Sequence, residues 1–465
     1  MSNGQLHIGR GGEVGSLKNR KPLSSKNLLE NLGMQSVRMK TVKENDKDRP
    51  VMLYLGKCCE SHWEMSYVPY CRDGPGCASH PSIAFGDHGD DLYHPMMQCP
   101  VKCVVHHDPL MPIDAVLTGG YVSRDDYYND ISRKRRLNQG EEVTQKNRPI
   151  AASMCLEPYW RTRPRATNPR EMKMVDMLLT TNLNADIWLS RFSLLRLETD
   201  SYDWNNGKMW MHWSEYITLP ENQPPKWATF DSDYVISVVI GHCDGPNGYP
   251  FGYPNRLHYI NALSDAGLPV YLTGHLRRCN SGNRNKQRFW ASNKRELMRK
   301  YKFHLALENC DEKDWVTEKL YQTLMAGIVP VYVGCDNVNQ FIPKNAFIRA
   351  RDFSEPKKLA DYLKYLAGNE TAYNEYHAWR TNGPSSPEWK HMNWTFDRST
   401  ANGFCQVCQN IHAHREKKAQ QGETSWGEYW THAKNKLPAW TLDPQRGWVQ
   451  EGKPVPIDLE VPAAV

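Results

Sequence analysis

The chain has 465 residues, enough for two or three domains that each bury a hydrophobic core. Hydrophobic residues make up 40% and charged residues 24% of the sequence, which is the balance of a globular protein and excludes a wholly disordered chain. The net charge of +6 favours anionic small ligands. Because no run of Lys and Arg is interleaved with aromatic residues, nucleic-acid binding is not predicted.

The first 49 residues are rich in Gly, Ser, Lys and Asn and contain no apolar run, so residues 1–49 are predicted to be a disordered leader. No signal peptide or membrane-spanning segment is visible in the sequence. The first predicted strand, Val51–Leu55, opens an α/β domain predicted over residues 50–225.

A cysteine-dense segment follows this strand, with cysteines at Cys58, Cys59, Cys71, Cys77, Cys99 and Cys103. A zinc site formed with His106 and His107 is conceivable, but the repeated short spacings of a zinc ribbon are missing. Disulfide bonds in a secretory protein are the favoured interpretation. Because the chain has 13 cysteines, at least one thiol is predicted to be free or paired with another molecule.

Four further strands are predicted in the first domain, at 114–117, 149–154, 175–179 and 186–189. The second of these runs into a carboxylate, Glu157, followed directly by Pro158. The simplest alternative for Glu157 is an ordinary residue of a loop at a strand end.

Prolines between Pro220 and Pro225 predict a linker to a second α/β domain over residues 226–400. The apolar run 234–240 is its first predicted strand, and 270–273 is another. Asp231 and Asp233 form a DxD sequence, but it precedes a strand rather than following one, so we predict a turn and no metal site. Arg256 begins a predicted helix, where it would oppose the helix dipole unless it binds an anion.

The segment 301–334 is predicted to form a strand, a loop, a helix and a second strand. Phe303, Leu305 and Leu307 alternate in a strand that is predicted to be buried on both faces. Gly327 is predicted to end the helix, and 328–333 is the second strand. Domains of this type bind ligands at the carboxyl ends of their strands, which is where Glu308, Asn309, Glu318 and Lys319 fall.

A helix that begins near Thr317 offers free N–H groups and a positive dipole end to an anion such as a diphosphate. Lys319 adds a point charge for phosphate, and Glu318 can accept hydrogen bonds from ribose hydroxyls. The alternative is that Glu318 and Lys319 are solvated residues of the first helical turn.

Three runs in this region, YKFHLALEN, WVTEKLYQTLMAGIVPVYVG and FIPKNAFI, resemble the signature of the α1,3-fucosyltransferases of glycosyltransferase family 10. One departure is Trp315, where the family usually has Tyr. The CPVKC run, the segment Trp213–Tyr216 and the Cys405–Cys408 pair are similar to features of the plant core α1,3-fucosyltransferases.

The resemblance implies an α/β fold of the GT-B type, in which two Rossmann-like domains face each other across a cleft. It implies an inverting enzyme that moves L-fucose from GDP-fucose to the 3-hydroxyl of N-acetylglucosamine, with no cofactor required. The plant-like features favour the innermost N-acetylglucosamine of N-glycans, on a glycan or glycoprotein acceptor. The alternatives are a Lewis-type enzyme acting on N-acetyllactosamine and an inactive glycan-binding protein.

The resemblance also assigns roles to residues. Glu157 would be the general base, with Glu171 and Asp176 as weaker candidates. Arg256 would face the donor diphosphate. The other predicted donor-binding residues are Glu308, Asn309, Trp315, Val316, Thr317, Glu318 and Lys319.

By resemblance the protein is expected on the lumenal side of the Golgi, where family members are usually held by an N-terminal anchor. Sequons at Asn369 and Asn393 give weak support for secretion. Residues 401–465 are predicted to be a C-terminal region and tail that packs partly on the body of the protein, with Cys405 and Cys408 in disulfide bonds.

Overall fold

The protein contains two sheets of mainly parallel strands with helices packed around them, as seen in a computed structural model. The described residues are 51–55, 83–85, 101, 103–106, 113–119, 140, 149–155, 177–183, 185–192, 197, 212–241, 253, 255–274, 294–398, 403–421, 441–443 and 447–449. This architecture confirms the predicted α/β fold class with two Rossmann-like sheets.

The first sheet has seven strands, Val51–Leu55 (β1), Ile83–Phe85 (β2), Cys103–His106 (β3), Ala115–Gly119 (β4), Ile150–Cys155 (β5), Met177–Thr180 (β6) and Ile187–Trp188 (β7). They lie in the order β2-β3-β1-β4-β5-β6-β7, and only β2 pairs in the antiparallel sense. The five strands predicted here are confirmed to within two residues at each end. The sequence analysis missed β2 and β3, which lie in the cysteine-dense segment.

The second sheet has five strands, Ile236–Val239 (β8), Val270–Thr273 (β9), Phe303–Leu307 (β10), Val329–Val333 (β11) and Ile348–Arg349 (β12). All pair in parallel, in the order β12-β11-β10-β8-β9. Every residue of β10 is buried, as predicted. Its one ionisable side chain, His304, bonds the Ser237 hydroxyl on β8 at 2.8 Å, and burial holds the His304 pKa well below its usual value. A short antiparallel pair, Thr441–Asp443 (β13) and Gly447–Val449 (β14), lies near the C-terminus.

The helices of the described chain are Trp213–Thr218 (α1), Arg256–Asp265 (α2), Lys294–Met298 (α3), Glu318–Met325 (α4), Pro356–Ala367 (α5), Glu370–Asn374 (α6), Pro387–Asp397 (α7) and Gly403–Gln421 (α8). The helix α6 is followed directly by a 3₁₀ segment, Glu375–Arg380. Within the described part of the chain, no helix is both long and apolar enough to span a membrane.

Gly327 ends α4 as predicted, with a positive φ of 75°. A Cβ at this position would lie 2.9 Å from the Asn222 carbonyl oxygen, so the close approach also requires glycine. Asn222 belongs to the predicted linker, which forms a 3₁₀ turn, Pro220–Asn222. The Asn222 carbonyl accepts a hydrogen bond of 2.8 Å from the Arg380 guanidinium, so this turn is packed on the second sheet's helices.

The helix α8 packs against β1 and β3 of the first sheet, in the stretch 401–465 that was predicted to be a C-terminal region and tail. A disulfide bond joins Cys408 on α8 to Cys103 on β3, across 305 residues of sequence. An ion pair between Arg415 and Asp114 lies beside it, and both side chains are buried. The predicted disulfide role is thus confirmed for Cys408. Cys310 and Cys335 are buried free thiols, as the odd number of cysteines predicted.

A second set of contacts joins the chain that follows β6 and β7 to the second half of the protein. We call these four residues, Leu183, Ser190, Arg191 and Phe192, the inter-sheet interface. The Phe192 ring packs 4.8 Å from the Tyr321 ring of α4, and both lie in one hydrophobic cluster. The Ser190 hydroxyl donates to the carbonyl of Thr395 on α7 at 2.8 Å. The helix α4 is therefore packed against chain from the first sheet.

Candidate functional site

The candidate site lies where β10 ends and α4 begins. Between them the chain turns sharply at Asp314, the one described non-glycine residue with positive φ, 68°. Aspartate tolerates this conformation better than most residues. Asn337 fixes the turn, since it accepts from the Asp314 N–H at 3.0 Å and donates to its carboxylate at 2.6 Å. The Leu183 N–H of the inter-sheet interface donates to the same carboxylate at 3.1 Å.

Glu308 is the first residue after β10, and its side chain has no exposed surface. One carboxylate oxygen accepts the backbone N–H of Thr317 at 2.8 Å, and the other accepts the Thr317 hydroxyl at 2.8 Å. The second oxygen also accepts from the Lys319 ammonium at 3.2 Å. Burial raises the pKa of Glu308, and the Lys319 charge opposes that rise. Glu308 therefore fixes the start of α4 and the position of Lys319.

Glu318 and Lys319 follow on the first turn of α4 and are partly exposed, with 24% and 22% of their side chains accessible. The Lys319 ammonium donates to the Thr317 hydroxyl at 2.8 Å and to Glu318 at 3.2 Å. Burial alone would raise the Glu318 pKa, but the charges of Lys319, Arg191 and Lys294 hold it well below its usual value. Burial lowers the Lys319 pKa, but the charges of Glu308 and Glu318 raise it above its usual value. Both groups are therefore charged at neutral pH.

Arg191 reaches this site from the first sheet. Its guanidinium lies 3.7 Å from the Glu318 carboxylate and 5.4 Å from the centre of the Trp315 ring, a cation–π contact. Only 9% of the Arg191 side chain is exposed. The Trp315 indole N–H in turn donates to the Asn309 side-chain oxygen at 2.8 Å. We call Glu308, Thr317, Glu318 and Lys319 the β10–α4 site, which Arg191 contacts from the inter-sheet interface.

Arg256 is the first residue of α2, as predicted, and it is buried. The Asn255 side chain caps this helix by accepting the N–H groups of Leu257 and His258 at 3.0 and 3.2 Å. The Arg256 charge lowers the pKa of Lys319, so the two cations lie within electrostatic reach of each other. Such a cluster of cations is stable only with counter-charges, which Glu308 and Glu318 supply in part.

The structure brings the predicted residues of the second domain together. Glu308, Thr317, Glu318 and Lys319 share one set of hydrogen bonds, and Asn309 and Trp315 share another. Val316, between Trp315 and Thr317 in the chain, is buried. Glu157, Glu171 and Asp176 lie outside the described residues. The sequence analysis missed Arg191 and Lys294. Arg191 lies two residues after the predicted strand 186–189, so the strand-end rule that located Glu308 could also have found it.

The predicted turn at Asp231 is confirmed, because its carboxylate accepts the backbone N–H groups of Asp233 and Tyr234 at 2.8 and 2.9 Å. Among the described residues, no group of three or more His, Cys, Asp or Glu side chains is placed to hold a metal ion. The site is a helix start at which Glu308 accepts the Thr317 N–H, with cations contributed by Arg191, Lys319 and the nearby Arg256.

Comparison with known proteins shows that the region around this site matches a known family. Residues 233–426 match the family model described as glycosyltransferase family 10 (fucosyltransferase), C-terminal. A putative fucosyltransferase-like protein of Arabidopsis thaliana is 29% identical over 50% of this chain and 37% of its own length. An α-(1,4)-fucosyltransferase of Arabidopsis thaliana is 36% identical over 29% of this chain and 33% of its own length.

A 4-galactosyl-N-acetylglucosaminide 3-α-L-fucosyltransferase 9 of Mus musculus is 35% identical over 27% of this chain and 33% of its own length. The chain thus spans about a third of the length of these curated relatives. Among solved structures, an α1,3-fucosyltransferase with GDP aligns at 15% identity and a TM-score of 0.43, over 83% of this chain and 96% of that one. The β10–α4 site lies inside residues 233–426, the part of the chain that matches the model of glycosyltransferase family 10, the fucosyltransferase family.

Proposed function

We propose that the protein is an inverting fucosyltransferase that uses GDP-fucose and transfers L-fucose to the 3-hydroxyl of an N-acetylglucosamine. The observation that carries this proposal is the pair of cations near the start of α4, Lys319 and Arg256, inside the stretch that matches the fucosyltransferase family. A nucleotide-sugar donor leaves as a nucleoside diphosphate, so negative charge develops on the diphosphate as the sugar bond breaks. Cations fixed beforehand at that position lower the barrier.

Lys319 and Arg256 are the residues proposed to stabilise the leaving diphosphate, and Arg191 holds Glu318 beside them. Lys319 is held in place by Glu308 and Thr317, so it needs little reorganisation when charge develops. Arg256 offers a planar fork that matches phosphate oxygens. Since these cations can neutralise the diphosphate, the proposal requires no metal or other cofactor.

The acidic residues take different parts in this proposal. Glu318 is partly exposed and ionised, so it can accept hydrogen bonds from ribose or sugar hydroxyls. Glu308 has no exposed surface, so it acts on the donor through Thr317 and Lys319 rather than by contact. Asn309 and Trp315 are proposed to line the donor position, and Val316 supports them from the core.

Glu157 is the proposed general base. It would take the proton of the acceptor hydroxyl as that oxygen attacks the anomeric carbon from the face opposite the diphosphate, which inverts the configuration. This role rests on the sequence resemblance, with Glu171 and Asp176 as weaker alternatives.

For the acceptor we propose the innermost N-acetylglucosamine of N-glycans, on a glycoprotein in the Golgi lumen. The plant-like cysteine regions support this choice, and two of the relatives are plant proteins. The alternative is a Lewis-type acceptor, favoured by the mouse relative, whose name specifies a 4-galactosyl-N-acetylglucosaminide.

The test is release of GDP from GDP-fucose with a chelator present, on a chitobiose-core glycopeptide and on N-acetyllactosamine. We expect turnover on the core glycopeptide alone. Turnover on lactosamine would instead establish the Lewis-type activity. No turnover on either acceptor, with GDP-fucose still bound, would contradict the enzyme proposal and favour an inactive glycan-binding protein.

A further inference from the structure

A second concave site lies beside β12, an edge strand of the second sheet. It is a cavity of about 900 Å³ between β12, the chain that follows β12, and the helices α5 and α6. Its lining includes no residue of the β10–α4 site and not Arg256. Whatever this cavity binds is therefore distinct from the proposed donor.

One wall of the cavity is aromatic. The Phe353 and Tyr362 rings lie 5.3 Å apart, and the Tyr362 and Tyr365 rings lie 6.3 Å apart. Tyr365 is 56% exposed, and it is the one large hydrophobic side chain in the described chain that is so exposed. The hydroxyls of Tyr362 and Tyr376 share a hydrogen bond of 2.8 Å. Whichever hydroxyl accepts in that pair keeps its own proton for a ligand.

The polar part of the lining carries no net charge. It has two cations, Lys344 and Arg349, and two anions, Asp352 and Glu375. Arg349 already pairs with Asp352 at 3.3 Å and with Asp336 at 3.0 Å, so its charge is compensated by the protein. A nucleotide or another phosphate ligand calls for an excess of cations, which this lining does not supply.

An amide completes the lining. The side-chain oxygen of Asn339 is buried and accepts no hydrogen bond in the described part of the chain. An unsatisfied buried amide oxygen is rare in folded proteins. With one end of the amide unbonded by the protein, Asn339 can turn to offer either its donor or its acceptor to a ligand.

We propose that this cavity binds a neutral oligosaccharide. A pyranose ring has an apolar face of C–H groups, which packs on an aromatic ring, and an edge of hydroxyls that both donate and accept hydrogen bonds. The aromatic wall, the hydroxyl pair and the charge-balanced polar lining match these two surfaces. The volume lies within the range of small-molecule sites, about 300–1,000 Å³. The inference concerns binding only and holds whether or not the chain transfers fucose.

The test is calorimetric binding of the neutral trisaccharide chitotriose to the full chain in the presence of saturating GDP, which keeps the donor site filled. We expect a Kd of about 1 mM or tighter. Tyr365→Ala should weaken binding about tenfold because it removes the exposed ring, while Tyr365→Phe should bind as the wild type does. Lys358→Ala, at an exposed position of the same helix outside the lining, is the matched control and should change nothing.

The proposal is overturned if chitotriose does not bind, if Tyr365→Ala leaves its affinity unchanged, or if an anionic trisaccharide of galacturonic acid binds more tightly. It is also overturned if Tyr365→Ala changes the sedimentation coefficient, which would show that a second copy of the chain covers this face. GDP affinity, measured on the same variants, reports separately on the donor site. If the wild type bound chitotriose but not GDP, the proposed function would be overturned and this inference would stand.

Discussion

The β10–α4 site and the inter-sheet interface meet at Glu318, but they are built in opposite ways. Within the site, Glu308 bonds partners that lie only 9 and 11 residues further along the chain. At the interface, the bond from Leu183 to Asp314 spans 131 residues, and the bond from Ser190 to Thr395 spans 205. The site is therefore organised by its own loop, whereas its alignment with the first sheet depends on a few distant contacts.

This difference separates two kinds of substitution. A change inside the site removes a charge or its local support, so it should reduce turnover strongly. A change at the interface leaves the local network intact, so it should alter donor affinity and pH dependence more than the chemical step. The predictions below test this division, in order of decreasing effect on turnover.

The largest effect is expected from Lys319→Ala. Removing a cation aimed at the leaving diphosphate should lower turnover by about two orders of magnitude or more, by analogy with the loss of one oxyanion-hole donor. The measurement is the initial rate of GDP release from GDP-fucose. Lys313→Ala, an exposed lysine in the same loop, is the matched control. A near-normal rate for Lys319→Ala would rule out its role at the diphosphate.

A smaller but still large effect is expected from Glu308→Gln. In the wild type, one Glu308 oxygen accepts hydrogen bonds from both Thr317 and Lys319. The substitution puts an NH₂ donor in place of a carboxylate oxygen, so one of these bonds is lost and Lys319 is no longer held. We expect turnover to fall about tenfold and unfolding free energy to fall by about 2–3 kcal/mol, as for other disrupted buried hydrogen bonds. Urea unfolding and GDP release measure the two effects. A loss of stability without a change in turnover would mean that Glu308 supports the fold alone.

Arg191 tests the interface side of the comparison. Arg191→Ala should raise the KM for GDP-fucose about fivefold to tenfold, with a smaller change in kcat, because the contact with Glu318 is worth about 1 kcal/mol or somewhat more. Arg191→Lys keeps the charge and should recover most of the affinity. A fall in kcat as large as that of Lys319→Ala would show that the division between site and interface is wrong.

The pH dependence gives Arg191 a second readout. Arg191 helps to hold the Glu318 pKa below its usual value, so its removal raises that pKa. A carboxylate with a lowered folded-state pKa stabilises the fold above its ordinary pKa of about 4.3, and this contribution is lost as the pH falls through the folded-state value. In Arg191→Ala the contribution of Glu318 to stability should therefore be smaller at neutral pH and fully lost at a higher pH, and GDP binding should weaken at a higher pH than in the wild type. Thermal unfolding and GDP calorimetry across the acid range measure both shifts.

Much of the second sheet could be predicted because its signals are local. The strands around 303–307 and 329–333 are continuous apolar runs, and Gly327 marks the helix end between them. The residues of the site follow from the rule that ligands bind at strand ends. Burial, however, is a property of the packed structure, so nothing in the sequence showed that Glu308 would be fully enclosed and Glu318 partly exposed.

The contacts across the two halves of the chain could not be predicted in the same way. Arg191 belongs to no recognised sequence motif, and its contact with Glu318 depends on how the chain after β7 packs against α4. The partner of Cys408 was equally hidden, because many pairings are possible among 13 cysteines. The helix α8 was missed since its polar sequence resembles a tail, and it is held on the first sheet by the disulfide and the Arg415–Asp114 ion pair.

The smallest effect on turnover is expected from the Cys103→Ser/Cys408→Ser double variant. The disulfide and the neighbouring Asp114 carboxylate, which accepts the Met52 N–H at 2.8 Å, lie at the first sheet and are not part of the β10–α4 site. Turnover at 25 °C should change less than about twofold, while the unfolding free energy falls by about 2–5 kcal/mol, the usual cost of losing a native disulfide. Lys319→Ala, measured alongside, should show a far larger loss of turnover. A double variant that is stable but inactive would mean that the packing of α8 on the first sheet controls the site, and that the local network around Glu308 is not enough to organise it.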